Sequence, residues 1–167
     1  VEDKLYAGNY SEAYKTLDLT SMVDYLLIQE VMMNGELWHP KSSYMYINDG
    51  MLYAGPIWDF DWETYVPMNW FRIKEALYYG RLFQDPKFKA TVKERWAKFS
   101  DDFRTLPDFI RSEAEAIRAS EKMNHEMWPI AQVVNQDEGL SFDDAVARMI
   151  SAYESKLNWM DREISKL

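Results

Sequence analysis

Cysteine is absent from all 167 residues. That excludes a disulfide framework, a zinc–thiolate centre and a thiol nucleophile. Glycine is scarce, at 6 residues, and none of them builds a phosphate-cradling loop or a dinucleotide fingerprint. Histidine is scarcer, at 2. Neither His39 nor His125 has a partner at the spacing of a zinc-binding helix or a nucleophile relay. No apolar run reaches the roughly 18 residues needed to span a bilayer, so no transmembrane segment is expected. Positive charge is also short: 19 Lys and Arg stand against 28 Asp and Glu, a formal net charge of -9. Such a field repels nucleic acid and anionic membranes, while a nucleotide carried by a divalent cation stays compatible with it.

Aromatic surface is what the chain has in excess, with 7 Trp, 11 Tyr and 8 Phe. The 47% hydrophobic fraction supports one packed core, and the length fits one domain over residues 1–167. A first helix is expected after Leu17-Asp18-Leu19, with Thr20 or Ser21 as N-cap and Asn34-Gly35 as its stop. A hairpin follows, Ser43–Ile47 and Met51–Ala54 around Asn48-Asp49-Gly50. Ile57–Trp62 reads as extended or irregular chain. Beyond Pro67 the pattern turns helical: a short helix over Trp70–Phe83, then one opened by Asp85-Pro86 with the stripe Phe88, Val92, Trp96, Phe99 and Phe103. Another spans Asp108–Met127. The last opens on a Ser141/Asp144 capping box and carries one apolar seam from Phe142 to Leu167. The expected fold class is α+β, predominantly helical, with one β-hairpin and five or six helices.

Two polar groups stand out. In extended chain, Asp59, Asp61 and Glu63 share one side while Phe60 and Trp62 take the other. Carboxylates so placed suit Mg²⁺, Mn²⁺ or Ca²⁺, which take hard oxygen ligands; the bland alternative is an acidic loop leaning on aromatics. Glu30, Asn34 and Glu36 gather where the first helix ends. Glu36 is placed to serve as an acid or base in a cleft, or else Asn34 only caps the helix and both glutamates face water. The Met and Trp stripes read as core.

Several blocks together resemble the CotH family of atypical protein kinases of bacterial spore coats: LDLTSMVDY (17–25), EVMMNGE (30–36), SYMYI (43–47), LYAGPIWDFD (52–61), LFQDPKF (82–88) and Arg95-Trp96. The likeness covers roughly residues 10 to 165. It implies the C-terminal lobe of a kinase-like fold, transferring the γ-phosphoryl group of ATP to serine or threonine of a surface or coat protein with Mg²⁺ or Mn²⁺. On that likeness Asp59 and Asp61 hold the metal, Glu36 stands where active members carry the catalytic aspartate, and Asn34 and Lys41 face the nucleotide. Ser42 and Ser43 stand where some members place asparagine. The likeness also implies an upstream lobe, a chain inactive by itself, and a secreted or cell-surface location. The alternative is a degenerate kinase-like scaffold whose Trp38, Trp58, Trp62, Tyr65 and Trp70 bind a protein or glycan.

Overall fold

The computed structural model describes residues 1–38, 42–129 and 136–167. Helix α1 (Glu2–Tyr6) and the single turn α2 (Tyr10–Ala13) lead into α3 (Leu19–Val31). The N-cap of α3 is Asp18, not Thr20 or Ser21: its carboxylate accepts from the Ser21 N–H at 2.6 Å. Ser21 lies inside the first turn, and its hydroxyl accepts instead from the Ala54 N–H at 3.2 Å, fastening the hairpin to the helix.

Helix α3 also ends earlier than expected. The Met33 N–H donates to the Glu30 carbonyl and the Asn34 N–H to the Gln29 carbonyl, both at 3.0 Å. That is the Schellman pattern, with Met33 in the left-handed position at φ 56. Asn34-Gly35 therefore lies past the stop and does not form it.

The hairpin pairs β1 (Met45–Asn48) antiparallel with β2 (Met51–Ala54). Asp49 and Gly50 both have positive φ, 49 and 77, as a two-residue turn of the primed kind requires. Tyr46 and Tyr53 sit opposite each other and stack at 5.1 Å. The far edge of β2 is closed by residues 16–18, through Leu52 N–H to the Thr16 carbonyl at 2.9 Å and Asp18 N–H to the Leu52 carbonyl at 2.8 Å.

The expected helix over Trp70–Phe83 shrinks to α4 (Tyr79–Leu82). Leu77 sits at φ 48, a left-handed position that a continuous helix cannot pass through, while the Arg72 and Ile73 N–H groups donate to the Glu30 carboxylate at 2.9 and 2.8 Å. Helix α5 (Pro86–Phe103) begins as read, with the Asp85 carboxylate accepting from the Lys87 and Phe88 N–H groups. Helix α6 runs Leu106–Met127, so Leu106-Pro107 opens the helix; proline in the first turn lacks only an N–H that would be unpaired anyway. Helix α7 (Phe142–Ser165) is capped by Ser141, whose hydroxyl accepts from the Asp144 N–H at 3.1 Å.

The chain is thus α+β and mostly helical, with four long helices, three short ones and one hairpin among the described residues. Its core lies between α3, α5 and α7. Val23, Leu26 and Val31 meet Phe88, Val92 and Trp96, and Tyr153, Leu157, Met160 and Ile164 close the other side, all buried. Each such side chain contributes about 1.5–3 kcal/mol on leaving water. The seam of α7 is continuous in sequence, yet Phe142, Val146 and Met149 are only half-buried, and full burial starts at Ile150. Helix α6 packs on α7 and leaves Phe109, Ile117, Met123 and Met127 exposed. No described helix is long and apolar enough to cross a membrane.

Candidate functional site

The site is built around Asn34, which is fully buried just past the end of α3. Its Oδ1 accepts from the Glu36 N–H at 2.9 Å, and its Nδ2 donates to the Asp59 carbonyl at 3.4 Å. One side chain therefore stitches two backbone segments together. Glu36, half-buried, opens a short 3-10 turn through Trp38.

The acidic segment is not an extended strand. Asp59, Glu63 and Tyr65 all adopt left-handed backbone, at φ 63, 50 and 53. Each such residue costs on the order of 1–3 kcal/mol and persists only where its surroundings hold it. The hold is visible: the Thr64 hydroxyl donates to the Phe60 carbonyl at 2.6 Å, Tyr65 N–H to the Met32 carbonyl at 3.1 Å, and Arg72 Nη1 to the Glu63 carbonyl at 2.8 Å.

Asp59 and Asp61 come together, by a turn rather than by strand alternation. Their hydrogen bond, slight burial, and the negative charges of Asp61 and Glu36 raise the Asp59 pKa above the ordinary carboxylate value, in that order of importance. Glu63 departs from the expected trio, because its left-handed backbone turns it to Arg72, whose Nη2 lies 2.5 Å from Oε2. Phe60 is half-buried and Trp62 exposed, so the aromatic pair does not form one inward face. Lys41 and His39 lie outside the described residues.

Glu30, grouped in sequence with Asn34 and Glu36, does not face water but belongs to a buried charged network whose other member, Lys156, the sequence did not single out. Glu30 and Lys156 are both completely buried and paired at 3.0 Å. Lys156 also donates to the Trp70 carbonyl at 2.6 Å, and the Glu30 carboxylate takes the Arg72 and Ile73 N–H groups, so its oxygens are well supplied. Burial pushes the Lys156 pKa down, against the pull of Glu30. A signal for this pair was present: Glu30 lies beside Leu26, Leu27 and Val31 on α3, and Lys156 beside Tyr153, Leu157 and Met160 on α7. Opposite charges on the apolar faces of two helices are the mark of a buried pair.

A cavity of about 510 Å³ opens beside Glu63, walled by Trp38, Pro67, Trp70, Phe71 and Arg72. Trp38 anchors its own wall, with Nε1 donating to the Arg72 carbonyl at 2.5 Å.

Among the described residues no three His, Asp or Glu side chains form a ready-made metal cage. The Asp59/Asp61 pair with repelled negative charge nevertheless fits a hard cation, since Mg²⁺ is commonly held by one or two carboxylates while phosphate oxygens and water fill its other positions. No family model matches this chain, and neither a curated protein nor a solved structure matches it.

Proposed function

We propose that this chain is the metal- and acceptor-facing lobe of a phosphotransferase of the CotH-kinase kind, acting on a serine or threonine hydroxyl of a protein. The observation that carries the reading is the Asn34 amide, which joins the Glu36 backbone to the Asp59 backbone and so sets a candidate base beside a candidate metal pair. Asp59 and Asp61 would hold Mg²⁺ or Mn²⁺, which when bound offsets charge on the phosphate oxygens of ATP. Glu36 would take the proton of the attacking hydroxyl as its oxygen bonds to the γ-phosphorus and the bond to the β–γ bridging oxygen breaks, releasing ADP. Asn34 does no chemistry in this scheme. It keeps Glu36 and Asp59 from drifting apart, and small misplacements of reacting groups cost large factors in rate.

The test is a Mn²⁺ titration with ATP present, read by the emission of Trp58 and Trp62, which flank the acidic pair. Saturable binding in the native chain and its loss in Asp59→Ala support the reading. Absence of any Mn²⁺-dependent change when the chain is joined to the upstream lobe that the CotH likeness implies, with ATP present, refutes it.

One observation favours a second reading, an aromatic recognition surface without catalysis. Trp38, Trp58, Trp62 and Trp70 are all substantially exposed, and Tyr44 meets Trp58 edge-on at 6.1 Å. Tyr65 does not belong to such a surface, because it packs inward toward Tyr153. Under this reading Trp58→Ala abolishes partner binding while Asp59→Ala leaves it intact.

A further inference from the structure

We infer that Arg72 is the positioning residue of this site, its guanidinium fixing the separation between the Asn34–Glu36 corner and the Asp59–Glu63 turn. The inference rests on the phosphotransfer reading above and adds to it the part that holds the geometry.

One guanidinium reaches both sides of the site. Nη1 donates to the Met33 carbonyl at 2.9 Å, immediately before Asn34, and to the Glu63 carbonyl at 2.8 Å; Nη2 binds the Glu63 carboxylate at 2.5 Å. A planar fork with fixed donors can span three acceptors in this way, whereas a lysine ammonium on its flexible stem cannot reproduce the arrangement. The backbone of Arg72 is itself held from behind. Its N–H is taken by Glu30, its carbonyl by the Trp38 indole, and Glu30 is tied in turn to Lys156. Met33 and Trp38 bracket Glu36, and Glu63 follows Asp61 by two residues, so Arg72 grips the chain on both flanks of the candidate chemistry. With both Nη nitrogens bonded to protein acceptors, Arg72 acts through the residues it holds.

Gly35 supplies an independent observation. Its backbone does not need glycine's positive φ, but a Cβ there would collide with the Arg72 guanidinium, meeting Nη2 and Cζ. Glycine at this position leaves room for that guanidinium. Gly35→Ala therefore displaces the tip of one flexible side chain without removing a charge or straining the backbone.

The experiment compares the native chain with Gly35→Ala, Arg72→Lys and Ile164→Val, the last a buried change in α7 that lowers stability away from the site. Mn²⁺ affinity with ATP present is read by Trp fluorescence, thermal unfolding is followed for each variant, and amide exchange is measured at residues 59–65. Loss of a group that orients metal ligands typically weakens metal binding by about 10–100-fold. Weakening of that size is expected in Gly35→Ala and Arg72→Lys but not in Ile164→Val, with faster exchange at 59–65 and unchanged exchange in α5. Native-like Mn²⁺ binding in Gly35→Ala overturns the role of Arg72 and leaves the phosphotransfer reading standing. Equal weakening in Ile164→Val also overturns it, by showing that lost stability suffices. No binding in the native chain, nor in the native chain joined to the upstream lobe, removes both.

Discussion

The packed face between α3, α5 and α7 and the irregular stretch from Gly55 to Tyr78 are held by different forces. Apolar contact holds the first: Leu26, Phe88, Val92, Leu157 and Met160 are buried with no polar atom to satisfy. The second has little regular structure: Ile73 and Ala76 reach into the core, but its turns are fixed by individual polar bonds to Asn34, Glu30, Arg72 and Lys156. Apolar contact tolerates small shifts, because it is non-directional. Hydrogen bonds to charged groups fix distance and angle, and lose much more when one partner is removed. The candidate chemistry lies in the region where direction matters.

The sharpest way to break this contrast is to remove the charge that both regions share. Glu30→Ala leaves Lys156 buried without its anion and orphans the Arg72 and Ile73 N–H groups. A loss of about 3–5 kcal/mol is expected in urea-induced unfolding. Replacing both members, Glu30→Leu with Lys156→Met, is expected to recover only part of that loss, since an apolar pair avoids the desolvation of the charges but leaves the Arg72 and Ile73 N–H groups unpaired. The turn at 59–65 should therefore still exchange its amides faster than in the native chain. Next in size is Leu157→Ala, which opens a cavity in the apolar region and should cost about 2–5 kcal/mol with exchange at 59–65 kept slower than in Glu30→Ala. Asp85→Ala removes the α5 cap and an acceptor for the Tyr14 hydroxyl, for about 1 kcal/mol in the same assay. Smallest is Phe109→Ser on the uncovered side of α6, expected within about 0.5 kcal/mol of native by thermal unfolding.

What the sequence made legible follows the same division. The Asp85-Pro86 start, the Ser141 cap and the Asp49-Gly50 turn depend on neighbours within a few residues, and each appears where the pattern put it. The helix over Trp70–Phe83 did not form as read: Leu77 takes left-handed backbone, and the segment is anchored to Glu30, more than forty positions earlier. Asn34-Gly35 resembled a helix stop, yet Met33 took the left-handed position and Gly35 makes space for Arg72. The acidic string brings two of its three carboxylates together, through turns and not through the strand alternation that its spacing suggested. Its left-handed residues bring Asp59 to Asp61 and send Glu63 away. Apart from the Glu30 and Lys156 charges set in apolar helix faces, the long-range polar bonds that make this site leave no periodic trace.

The Glu30–Lys156 pair joins residues 126 positions apart. During synthesis at about 5–20 residues per second, roughly 6–25 s pass between the making of Glu30 and the making of its cation. Throughout that interval Glu30 lacks the cation with which it is buried, and the core that α3 shares with α7 cannot close before α7 is made.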